Sequence, residues 1–108
     1  MSRNDSRRLE DIILAAAAIA AHTQRGDLED GLVFDAVRVR LIEIGEAVKA
    51  VDPQVLAREP DVPWADVAGM RDHLAHRYFD AAHTIVRATL TEDLPPLVAA
   101  AERILRSS

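Results

Sequence analysis

The chain of 108 residues contains no cysteine, which removes disulfides, thiolate metal sites and thiol nucleophiles and agrees with a reducing compartment. Aromatic residues make up only 4% of it, although 49% of the residues are apolar. A core must therefore be assembled from Ala, Leu, Ile and Val, a mixture that favours helices over sheets. No apolar run approaches the roughly 18 to 20 residues a bilayer span requires, so no membrane partner is expected. Positive charge is scarce as well: 13 Lys and Arg stand against 18 Asp and Glu, for a net charge of -5. That balance argues against a broad basic footprint for nucleic acid, and any RNA must be met locally. Arg71, Arg77 and Arg87 gather in the C-terminal half, while Asp27, Glu29, Asp30, Glu43 and Glu46 load the earlier part. The split fits either a focused positive cleft or an ordinary solvated surface, and charge alone favours the surface. The length allows one domain, residues 1–108, around one core.

Arg3, Arg7 and Arg8 ahead of the apolar stretch Ile12 to Ala21 imitate the order of a secretory leader, but Asp5, Glu10 and Asp11 interrupt it with acid. The spacing of Leu9, Ile12, Ile13, Ala16, Ile19 and Ala20 is that of an amphipathic helix. It predicts a first helix over about 6–24, closed by a left-handed cap at Gly26. A second helix is expected from about 27–30 onward, with the rail Phe34, Val37, Leu41, Ile44 and Val48 facing a partner helix. Gly45 inside it costs about 1 kcal/mol relative to alanine and marks a place where another helix passes close. Pro53, Pro60 and Pro63 punctuate an irregular connection with a short turn at 54–58. A third helix over about 64–78 carries Trp64, Val67, Arg71, Leu74 and Tyr78 on one rail, with Trp64 as its core anchor. Asp80 is expected to cap a fourth helix through Ala82, Ile85, Val86 and Thr89, and Asp93 with Pro95 to start a fifth through Leu97, Val98, Ala101, Ile104 and Leu105. The expected fold is thus all-α, an antiparallel bundle of four to five helices.

The octet Arg71 to Tyr78 concentrates the chemistry. It holds a permanent planar cation suited to phosphate oxygens and two imidazoles that can give and take protons near neutral pH. These are the groups of a metal-free phosphodiester-cleaving site. His22 and His83 are isolated and lack the spacing of metal ligands, so neither metal nor cofactor is expected. Arg38 and Arg40 read as helix-surface ion pairs, worth about a few tenths of a kcal/mol each.

The stretch Ile42-Glu43-Ile44-Gly45-Glu46-Ala47, the step Val62-Pro63-Trp64, the lead-in Gly69-Met70-Arg71 and the octet together resemble the HepT-like family of HEPN proteins, over almost the whole chain. The resemblance implies a small all-helical homodimer, a cytoplasmic ribonuclease toxin encoded beside a minimal nucleotidyltransferase antitoxin. The family signature R-x-x-x-x-H-x-Y is met by Arg71, His76 and Tyr78, with Asp72 where asparagine is frequent. RNA, unlike DNA, carries the 2'-hydroxyl that attacks its own phosphate, so a site need only move protons and stabilise extra negative charge. On this reading His76 carries the proton and Arg71 stabilises the phosphate. Asp72, four residues before His76, can orient its ring, although it adds negative charge near the phosphate. His73 and Arg77 fit either support of RNA or a solvated polar face. In similar proteins the tyrosine at position 78 accepts AMP from the partner; as a residue of the apolar rail it also fits a core position with a wet tip.

Spacing adds a constraint. Five residues along an ideal helix turn the chain by roughly 500°, which leaves Arg71 and His76 about 140° apart around the axis. Either two copies of the helix meet in one cleft or the helix distorts near His76. A second class of function stays open beside the nuclease: a non-catalytic HEPN module that binds a nucleotidyltransferase or nucleotide, with Arg71 and His76 serving an acidic or nucleotide partner.

Overall fold

A computed structural model describes residues 1–76 and 79–108, and the side chains of all of these except 71, 75, 76 and 79–82. Helix α1 spans Arg3–Arg25, α2 Gly31–Ala50, the one-turn α3 Pro53–Leu56, α4 Trp64–His76, α5 Phe79–Ala88 and α6 Leu94–Arg106, with a π-helical turn at Thr89–Asp93 between the last two. Among the described residues there is no strand, and no helix is long and apolar enough to cross a membrane. The all-α bundle expected from composition and periodicity is what forms.

The first two helices follow local rules. Ser2 opens α1, its Oγ accepting from the Asp5 N–H at 3.0 Å, so the helix starts three residues earlier than apolar spacing suggests. Asp30 caps α2 through bonds to the N–H groups of Leu32 and Val33. Short connections of this kind leave consecutive helices antiparallel, and α1 lies along α2 while α2 packs on α4 and α1 on α6. The α2 rail is buried as spaced: Phe34, Val37, Leu41, Ile44 and Val48 face the core, and Gly45 is buried beside them. In α1 the buried line is Leu9, Ile12, Ala15 and Ile19; Ile13 and Ala16 sit at its edge and Ala20 is exposed.

Several local expectations are corrected. Gly26 is extended (φ 172°), not left-handed, and a Cβ there would come within 3.3 Å of Val33 Cγ2, a close approach that a small shift of the Val33 side chain would have to relieve. The third helix buries Val67, Met70 and Leu74, while Trp64 is only half-buried and donates its indole N–H to the Glu59 carbonyl at 3.0 Å. Trp64 therefore packs against the core as expected and also pins the turn ahead of α4. Asp80 already lies within helix α5, described as Phe79–Ala88, instead of at its cap.

Asp93 does not start a helix either. Its backbone is already helical and its side chain makes no cap bond, because α5 runs into α6 without a break. Pro95 and Pro96 lack the N–H groups a continuing helix needs, and their rings crowd the carbonyls four residues back. The π turn widens the helix just before them, with the Leu94 N–H bonded to the Thr89 carbonyl five residues back. The hydroxyls of Thr89 and Thr91 bond the carbonyls of Ile85 (2.7 Å) and Arg87 (2.9 Å) through the same stretch.

Candidate active site on helix α4

Helix α4 carries positions 71, 72, 73 and 76 on one continuous α-helical segment, Trp64–His76. The helix stays regular through residue 76, so no distortion before that point gathers Arg71 and His76, and their backbone positions remain about 140° apart around the axis. The side chains of Arg71 and His76 lie outside the described residues, as do Arg77 and Tyr78 entirely. Asp72 and His73 are exposed. Its Val67–Met70–Leu74 face is held against α2 in the core, which fixes the rotation of the helix and turns positions 65, 66, 72 and 73 to solvent. At half-buried Gly69 on that side, an added Cβ would meet nothing within 4 Å.

His73 lines a cavity of about 190 Å³ enclosed by α2, α4, the π turn and α6. Its floor is apolar, with Leu41 and Ile44 fully buried, while Asp66, His73 and Asp93 bring polar groups to its walls.

The positive cluster expected in the C-terminal half is partly neutralised, since Arg87 forms an ion pair with Glu29 of the α1–α2 connection. Both side chains are at least half exposed, so the pair contributes little stability. Among the described residues no three histidine or acidic side chains come together to hold a metal ion.

Two further side chains tie the site half to the scaffold, and neither was given this part from sequence. His83 is buried on α5, its ring stacked on Phe34 at 3.8 Å and nearly parallel, with Nε2 at 2.8 Å from the Leu28 carbonyl. The neutral tautomer that donates from Nε2 satisfies that contact. Arg38, expected in a surface ion pair, is half-buried and donates its Nε–H to the Leu74 carbonyl at 2.9 Å. Arg40 does pair as expected, with Glu43. Periodicity shows which face a residue occupies but not which main-chain group lies across from it. At the start of α4, Glu59 accepts from Arg103 of α6; this bond holds the Glu59 carboxyl below the usual carboxylate range, against a smaller opposing effect of desolvation.

The family pattern described as "Ribonuclease HepT-like" matches residues 6–104. A Thermococcus cleftensis protein named as a probable ribonuclease HepT is 33% identical over 108 residues, covering 96% of this chain and 98% of that protein. A Methanocaldococcus jannaschii protein carrying RNase in its name is 31% identical over 102 residues, 91% of this chain and 88% of its own. A shorter match, 39% over 69 residues, joins 63% of this chain to 62% of a Caldanaerobacter subterraneus protein whose name also carries RNase. No solved structure matches the chain. With positions 71–76 on one helix of an all-α bundle and the family pattern running through nearly its whole length, the chain belongs to the HepT-like ribonuclease family.

Proposed function

We propose that this ribonuclease is a metal-independent endoribonuclease toxin that works as a homodimer in the cytoplasm. The observation that carries the reading is the regular run of α4 through positions 71 and 76 in a chain of this family. A single straight helix cannot point both at one phosphate, whereas two copies of α4 facing each other bring Arg71 of one protomer near His76 of its partner. The open, exposed side of α4 around Gly69 and Asp72 leaves room for such a cleft.

In this mechanism His76 takes the proton from the 2'-hydroxyl, whose oxygen bonds to phosphorus as the bond from phosphorus to the 5'-oxygen breaks. A proton returned to that leaving oxygen completes the step, giving a 2',3'-cyclic phosphate and a free 5'-hydroxyl. Arg71 stabilises the extra charge on the phosphate through its forked donors. Asp72 orients the His76 ring, and His73 and Arg77 support the bound strand. Neutralisation follows from a nucleotidyltransferase antitoxin: the Tyr78 hydroxyl attacks the α-phosphorus of ATP, pyrophosphate leaves, the hydroxyl proton passes to solvent, and the attached AMP blocks the cleft by charge and bulk.

The test compares the wild-type dimer with Arg71→Ala and His76→Ala on RNA, with and without chelator. Cleavage by wild type in chelator and a loss of at least about a hundredfold in both variants is expected. Full activity in both variants rejects the site. The net charge of -5 and the acidic Asp72 favour a second reading, a non-catalytic module that binds the nucleotidyltransferase; inactive, folded wild-type dimer supports it. Intact mass after incubation with ATP and the partner enzyme tests Tyr78, where no gain of one AMP per chain rejects modification.

A further inference from the structure

Arg38 differs from three other arginines of the chain. Arg40, Arg87 and Arg103 are each engaged by a glutamate. Arg38, in a chain with 18 acidic residues, has one hydrogen bond among the described residues, from Nε to the Leu74 carbonyl, and no carboxylate at ion-pair distance. Leu74 is two residues before His76, so this guanidinium sits against the last described turn of the candidate catalytic helix, about 3 Å along the axis from position 76. It reaches there from α2 across a packed helix–helix contact, and it is half-buried, so its charge is only partly solvated.

A guanidinium has five N–H donors in a rigid fork. With Nε–H committed to the main chain the plane of the group is fixed, and the four N–H donors on Nη1 and Nη2 have no partner among the described residues. That is a preorganised receptor for two oxygens of a phosphodiester. A plain helix-end cation would satisfy the same carbonyl and gain from the negative end of the helix. It would not require a charge held apart from every described acidic group.

We propose that Arg38 is a second phosphate-binding residue of the site, fixed by the Leu74 carbonyl so that its free fork grips a backbone phosphate of single-stranded RNA beside the one being cleaved. The inference rests on the reading of α4 as the RNA-cleaving helix. Arg71 serves the reacting phosphate; Arg38 sets the register of the strand.

The experiment measures binding of a 2'-O-methylated oligoribonucleotide, which cannot be cleaved by 2'-hydroxyl attack, to the wild-type protein and to Arg38→Gln over a range of salt. Glutamine keeps an N–H for the carbonyl and removes the charge. Loss of one phosphate contact makes the slope of log affinity against log salt shallower by about 0.7 for a single strand. Binding at low salt is expected to weaken roughly tenfold or more. A folded Arg38→Gln protein with unchanged slope overturns the proposal, as does a wild-type protein that binds no oligonucleotide.

Should Arg38→Gln fail to fold, the Nε–Hε resonance of Arg38 in wild type decides. A saturable shift on titration with the oligonucleotide supports the contact, and an unmoved resonance overturns it. Cleavage of unmodified RNA by wild type is scored separately. A slope change without cleavage keeps the phosphate contact and rejects the nuclease, whereas cleavage with an unchanged slope does the reverse.

Discussion

The α1–α2 pair and the α4–α6 half of this molecule are held by different kinds of interaction. In the first pair, the caps come from side chains two or three residues away, Ser2 to Asp5 and Asp30 to Leu32 and Val33, and the apolar rail of α2 is buried in the order it is spaced. In the second half the polar ties cross 36 to 55 residues: Arg38 to Leu74, Arg103 to Glu59, His83 to Leu28. Local bonds start the two helices of the first pair, and long-range bonds tie the second half to the rest, the one from Arg38 reaching α4 itself.

The largest effect should come where the two halves share a residue. Leu41 is fully buried on α2 and forms part of the floor of the cavity beside His73. Leu41→Ala is expected to lower unfolding free energy by about 2–5 kcal/mol in urea titrations. A loss below about 1 kcal/mol would mean that the cavity absorbs the change and the halves are less coupled than their packing implies.

His83→Ala sharpens the contrast, because it removes one stacked ring and leaves the buried side of the Leu28 carbonyl without its partner. A cost of about 2–3 kcal/mol is expected by chemical denaturation. His83→Phe should recover part of it by restoring the stack. Equal losses in the two variants would assign the whole effect to the hydrogen bond.

Asp30→Ala tests the local half. Loss of an N-cap is expected to cost about 1 kcal/mol, and Asp30→Asn or Asp30→Ser should return most of it. Failure of both to rescue would show that Asp30 acts through something beyond its two N–H partners.

The smallest effect concerns acid. The Glu59 carboxyl is held below its ordinary value in the folded chain by Arg103, so the pair's contribution is present above that ordinary value and lost as pH falls through the folded one. Thermal melts at neutral and acidic pH should therefore show a slightly larger drop for wild type than for Glu59→Gln, and identical drops would remove the pair from the account.

Much of the bundle was legible in the chain. Phe34, Val37, Leu41, Ile44 and Val48 point one way because the helical period leaves them no choice, and Asp30 marks a helix start through its own bonding habit. The continuity of α5 into α6 was not legible. Asp93 and Pro95 look like a start signal, and only the π turn, closed by the Leu94 N–H on the Thr89 carbonyl, carries the helix past that point. Arg38 was misjudged, and the part played by His83 was not foreseen, for a related reason. Each has its partner on a main-chain carbonyl, which has no letter in the sequence.

The sequence alone determined the helices, the polarity of their faces and the motif that places the chain in its family, since period, caps and residue chemistry act over a few neighbours. Tertiary structure decided which carbonyl meets Arg38, which ring lies under His83 and which side of α4 is left open, because those depend on how helices far apart in the chain settle their rotation and depth against one another.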